Sequence, residues 1–136
     1  MNLSAWAEAP PVIDVIQALV DKSLLRAWQP KAAGRLDIAE PFFGMYLSIH
    51  EYASEKLLAF GGNAAAAAEQ RHGSYFSRFG SDQALDALLR HGGVAKLQTL
   101  TLELDNLVCA CRRAIQRGQP ELSAACFLAA CGIACS

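Results

Sequence analysis

The stretch FFGMYLSIHEYASEKLLAF, Phe42 to Phe60, decides how the rest of the chain is read, because it is apolar enough to serve partners on both sides. At roughly 100° per residue, Phe42, Tyr46, Ile49, Ala53, Leu57 and Phe60 share one quarter of a helix surface, as a core-facing stripe does. Leu47 and Leu58 fall nearly opposite, among Ser48, Glu51 and Glu55, so the second face is mixed. This spacing predicts a central helix covered on one side and partly covered on the other, with Ile49 and Leu57 buried.

Upstream, Pro10 and Pro11 precede VIDVIQALVDKSLL, in which Val12, Ile16, Leu19, Val20 and Leu24 recur at helical spacing. Proline suits a first helical turn and Asp14 favours the positive helix start, so a helix is predicted from Val12 to Ser23. The period then changes. Leu25 to Trp28 and Arg35 to Ile38 read as two short alternating strands, with PKAAG as the turn between them and Gly34 free to take a positive φ. Pro41 closes this hairpin and opens the central helix.

Downstream, Gly61 and Gly62 end that helix and Asn63 can cap the next. Ala68, His72, Tyr75, Phe76 and Phe79 continue a stripe beyond the alanine run Ala64 to Ala68. Ser81 can cap a short helix carrying Leu85, Leu88 and Leu89, stopped by Gly92 and Gly93. From Val94 to Arg117 the pattern is the most regular in the chain. Leu97, Leu100, Leu104, Leu107, Val108, Cys111 and Ile115 lie within roughly 100° of arc, while Asn106, Arg113 and Arg117 face away. Leu104 and Leu107 are therefore expected in the core. Gly118 ends this helix, Pro120 starts another, and the two make a helical hairpin. The last helix is apolar on more than one side, so Leu122, Phe127, Leu128 and Ile133 form a candidate interaction surface. A hairpin of this kind stacks on further hairpins in solenoids, and the apolar end CFLAACGIACS leads to the expectation of a cut or degraded array.

The 136 residues suit one domain or two small helical units, and 53% hydrophobic residues suffice for a core. Twelve Lys and Arg against 13 Asp and Glu give a formal charge of −1, which gathers neither phosphates nor anionic lipid. MNLSAWAEAPPVID lacks the cationic start and apolar run of a signal peptide, and no window is long and apolar enough for a membrane span. A cytoplasmic location is the expectation. Five cysteines, Cys109, Cys111, Cys126, Cys131 and Cys135, lie near the C-terminus. An odd number argues against a disulfide framework; Cys109 and Cys111 point to different helix sides, whereas Cys131 and Cys135 could share one. Small buried thiols are the expectation, and no metal or cofactor is assigned.

LVDKSLL at Leu19 to Leu25, SIHEYASEKL at Ser48 to Leu57, RHGSYF at Arg71 to Phe76 and ELDNLVCACRRAIQRG at Glu103 to Gly118 resemble, in order and spacing, a region of bacterial signal-transduction ATPases. In those NB-ARC and maltose-regulator-like proteins a winged helix follows the nucleotide-binding module and leads into tetratricopeptide-like repeats. The resemblance implies a mainly α chain with a partial winged helix over residues 1–60, connecting helices over 61–93 and a first repeat hairpin over 94–136. It also implies a regulatory, protein-binding role, the partner being an ATPase module, further repeats or a second copy. The family's GxxxxGK phosphate loop and its acidic, magnesium-holding strand end are absent, so an ATPase is excluded from these residues. The winged helix of the family has helices upstream of LVDKSLL, and that side of the core is expected to be uncovered.

No catalytic residue is assigned. His50, His72 and His91 accompany no GxSxG, HExxH or CxxC and read as surface or boundary histidines. Arg112, Arg113 and Arg117 form a small basic cluster offset by Glu103 and Asp105, a solvated face. DNA binding is the alternative that a winged helix raises, but Ser48, Glu51 and Glu55 on the exposed side of the central helix would repel phosphate.

Overall fold

The computed structural model describes residues 10–29, 41–61 and 63–134. The chain is mainly helical with one small antiparallel sheet, and it divides into two compact units, the first ending at Ala65 and the second starting at Ala66.

In the first unit, helix α1 spans Val12–Asp21 with Asp14 in its first turn. It ends two residues short of the expected Ser23, because Ser23 itself adopts a left-handed φ of 57°. The amides of Leu24 and Leu25 then return to the Leu19 carbonyl at 2.9 and 3.1 Å, closing the helix end. Strand β1, Arg26–Trp28, pairs antiparallel with β2, Phe42–Gly44, placing Trp28 opposite Phe42 and Arg26 opposite Gly44. The expected first strand is formed, whereas the expected second strand, Arg35 to Ile38, and its turn lie outside the described residues.

Phe42 to Gly44, taken from periodicity as the opening of the central helix, is a strand instead. Glycine is a poor helix former, and here it makes room: a Cβ on Gly44 would stand 2.9 Å from Trp28 Cζ3. The Trp28 and Phe42 rings lie 6.3 Å apart, and the Arg26 guanidinium sits 5.5 Å from the ring centroids of both Trp28 and Tyr46. Helix α2 follows at Leu47–Ala59 and contains no buried residue. Ile49 is half-buried and Leu57 is 39% exposed, so the expected burial of this stripe is not met.

The second unit is built from α3 (Ala64–Ser77), a 3₁₀ turn (Arg78–Gly80), α4 (Asp82–Leu88), α5 (Gly93–Leu102), α6 (Leu104–Gln116) and α7 (Pro120–Ala134). Ser81 caps α4 as expected, its hydroxyl accepting the Ala84 amide at 3.3 Å. Gly92 takes a φ of +83° just before α5. The long helix expected from Val94 to Arg117 is two helices, interrupted at Glu103, whose φ of −97° and ψ of 6° leave helical geometry. The Asn106 side chain donates to Glu103 Oε2 at 2.6 Å across the break. Within α6 the expected stripe also divides: Leu107 is fully buried, but Leu104, at the first position of the helix, is 37% exposed.

The core joins Phe76, Leu100, Leu107, Ala110, Cys126 and Ala129, with Leu88, Leu122 and Ile133 packed against it. Helix α7 is at its centre. Ala110 and Ala114 of α6 and Cys126 and Ala129 of α7 are at most 2% exposed, and such small side chains let the two helix backbones approach closely. On its other side α7 meets the 3₁₀ turn, where a Cβ on Gly80 would fall 1.8 Å from the Ala125 carbonyl oxygen. Further along, a Cβ on Gly132 would touch Leu88 and Leu85 at 3.6 and 3.7 Å.

Two substitutions test this packing. Gly80→Ala should destabilise the second unit by at least about 3 kcal/mol, since helix backbone cannot give way as a side chain can. Leu107→Ala should cost about 2 to 5 kcal/mol and Leu104→Ala less than about 1 kcal/mol. Urea midpoints followed by circular dichroism read all three, and equal losses at Leu104 and Leu107 would contradict the burial of one and the exposure of the other on α6.

Candidate interaction surface

Helices α6 and α7 are joined by Arg117, Gly118 and Gln119, with Gly118 at a φ of +64°, a turn short enough to make the helices antiparallel neighbours. The Cys111 thiol donates to the Ser123 carbonyl at 3.5 Å, which sets the alignment along one side of their seam. Val108 lies about one turn back from Cys111, and Phe127 about one turn on from Ser123, so in an antiparallel pair both flank the same side. Ile115 continues that line on α6. All three are exposed, at 43% for Val108, 59% for Phe127 and 65% for Ile115.

The four residues expected to form an interaction surface separate. Phe127 and Leu128 are exposed, the latter at 47%. Leu122 and Ile133 instead pack against the buried cluster, and Leu122 Cδ2 lies 3.1 Å from where a Cβ on Gly73 would stand. The reason is that α7 is covered along its length by several elements: α3 at Leu122, the 3₁₀ turn at Ala125 and α4 at Gly132. Leu104, Val108 and Ile115 share an i, i+4, i+11 spacing, but the expected stripe joins them to Leu107 as core and leaves out Ala110 and Ala114, which are buried.

On the flank of α6 away from that line, polar groups meet α3. Glu69 on α3 pairs with Arg113 at 3.5 Å and with Arg117, and the Arg117 guanidinium also donates to the Ala66 carbonyl at 3.3 Å. Gln119 Nε2 donates to Gln70 Oε1 at 2.7 Å. Arg113 and Arg117 therefore turn towards α3 rather than towards solvent, and their acidic partner belongs to this chain; Arg112 stays exposed. These carboxylate pairs are about one-third exposed, so each is worth about 0.2 to 1 kcal/mol.

His72 lies in the same region, its ring centroid 4.7 Å from that of Phe76, and its Nδ1 is buried without a hydrogen-bond partner. Burial holds the imidazole below its ordinary value of 6.5. A hydrogen bond with Asn106 opposes this, Arg113 adds to it, and Glu103 and Glu69 act against it. His50 and His91 are exposed. Cys109, Cys111, Cys126 and Cys131 carry free thiols, and burial raises the Cys126 pKa, with Cys111 adding to the rise. Cys135 lies outside the described residues. Among the described residues, no group of three or more His, Cys, Asp or Glu could hold a metal ion, and no helix is long and apolar enough to cross a membrane.

In comparisons with known proteins, the chain matches no family model, no curated protein and no solved structure.

The half-buried His72 gives a pH dependence of known sign. Its folded pKa is depressed, so the unfolded chain takes up the proton more readily, and stability is full above about pH 6.5 and falls as pH is lowered. Urea midpoints at pH 7.5 and 5.5 should show this loss, and His72→Phe should reduce it. A variant that retains the whole slope would remove His72 as its source.

Proposed function

We propose that this chain is a non-catalytic regulatory module that works by binding protein, of the kind found between the winged helix and the tetratricopeptide-like repeats of bacterial signal-transduction ATPases. Its place is the cytoplasm, and its partner is another helical surface: an ATPase module, a further repeat or a second copy. The observation that carries this reading is the exposure of Val108, Ile115 and Phe127 along one side of a seam whose central residues are fully buried. An apolar line on a rigid helix pair is the surface that an adjacent hairpin covers in a helical array.

The sequence resemblance supplies the family, and two features of the first unit are compatible with a partial winged helix. A two-stranded antiparallel pair lies between α1 and α2 in chain order, and Val12 and Ile13 on α1 are 75% and 68% exposed, leaving apolar surface for a covering element. Binding to DNA has less support. Ser48, Glu51 and Glu55 are exposed on α2, and a formal charge of −1 provides no attraction for a phosphate backbone.

Sedimentation equilibrium under reducing conditions tests the reading. The chain should associate with rising concentration, and Phe127→Glu should weaken association at least about tenfold, or ~1.4 kcal/mol. Leu128→Glu, on a different part of the α7 surface, is the comparison. A monomer at tens of micromolar with no change on mixing with a neighbouring repeat would overturn the proposal, as would ATP turnover that persists through purification.

A further inference from the structure

Between the 3₁₀ turn, α4 and α5 lies a cavity of about 480 Å³, within the roughly 300 to 1,000 Å³ usual for small-molecule sites. Phe79, Ala84, Leu88, Ala95 and Leu100 make its walls, so most of what it presents is carbon. Thr99 also lines it, but its hydroxyl is already bonded to the Ala95 carbonyl at 3.1 Å. Two charged groups remain, Lys96 and Glu103. They are seven residues apart on one side of α5 and its C-terminal cap, about 10 Å along the helix axis. Glu103 is engaged by Asn106 and would repel an anion at its end.

At the Lys96 end the cavity adjoins a second, more polar cleft of about 390 Å³. Ala87 and Lys96 are common to both, and Arg90, Gln83 and Asp86 complete the cleft. Arg90 and Lys96 outnumber Asp86 there, and among the described residues neither cation has a carboxylate within ion-pair distance; the ion pairs of the second unit are those of Glu69. An apolar chamber thus opens at one end onto two unpaired cations and carries an anion at the other.

We infer that this cavity binds a small amphipathic monoanion, a medium-chain carboxylate, with its alkyl chain among Phe79, Leu88 and Leu100 and its head group at Lys96 and Arg90. The polarity of the chamber fixes the orientation, since the head group is repelled at Glu103 and attracted at Lys96. A chain of about ten carbons fits the volume if a methylene group takes about the 30 Å³ that one water occupies. The site is separate from the Val108, Ile115 and Phe127 line and does not depend on the interaction role proposed for it.

Calorimetric titration of the intact, reduced chain with sodium decanoate below its micelle-forming concentration tests the inference. Saturable one-site binding is expected, with decylammonium at least about tenfold weaker. Lys96→Glu combined with Arg90→Glu, both on the surface, should weaken decanoate by a similar factor while leaving the melting curve in place. Ala95→Phe should fill the chamber and remove binding, and the methyl resonances of Ala84 and Ala95 should shift on titration of the parent. If Ala95→Phe fails to fold, the charge-reversed variant and the methyl shifts decide the matter. Absence of saturable binding, equal affinity for decanoate and decylammonium, or unchanged affinity in the charge-reversed variant would overturn the inference. So would binding to anionic phospholipid vesicles without any binding of monomeric decanoate.

Discussion

Helix α7 has almost no polar side, and the second unit is the arrangement that covers it. Glu121 and Ser123 are its polar side chains from Pro120 to Ile133; the remainder are alanine, cysteine, glycine and larger apolar residues. A helix of this composition is stable in water only if neighbours surround it. Helix α6 takes one side through Ala110 and Ala114, and the 3₁₀ turn takes another through Gly80, which lies so close to the Ala125 carbonyl that no side chain fits between them. Leu85 and Leu88 of α4 reach Gly132 with their side-chain ends, at ordinary contact distance from where a Cβ would stand. Small residues therefore give the unit its close approaches, while Phe76, Leu100 and Leu107 give it buried area.

That arrangement determines what remains outside. Once α6 uses Leu107, Ala110 and Ala114 against α7, the neighbouring line of Leu104, Val108 and Ile115 cannot also turn inward. The polar groups of α6 are placed by the same rotation: Arg113 and Arg117 reach Glu69 on α3. Arg113 and Arg117 are thus held against α3, on the flank of α6 that faces away from Val108 and Ile115. The first unit is organised differently, around aromatic and cation contacts across a three-residue strand pair, and neither α1 nor α2 has a buried residue.

Much of the second unit was legible before the structure. Ser81 as a cap, Gly118 just past a helix end, Pro120 at a helix start and the hairpin of the last two helices all rest on chemistry within a few residues. The candidate surface was half legible. Phe127 and Leu128 are exposed as expected, but Leu122 and Ile133 are not, because their surroundings come from Gly73 and the buried cluster, distant in the chain. Periodicity also ran two elements together twice. Phe42 to Gly44 fits the helical spacing of α2 yet pairs as a strand with Arg26 to Trp28, and Leu97 and Leu100 fit the spacing of α6 yet belong to a helix that stops at Leu102.

The amino-acid sequence by itself determined the helical character of the chain, most element ends and the apolar excess of the last helix, since turn chemistry, capping and hydrophobic spacing act locally. Tertiary structure alone decided which edge of each stripe is buried. An arc of roughly 100° is wider than one helix contact, so several rotations satisfy the same pattern. On α7 the rotation is held by contacts such as that of Gly80 and Ala125, residues 45 positions apart in the chain whose backbones meet only once the unit has folded.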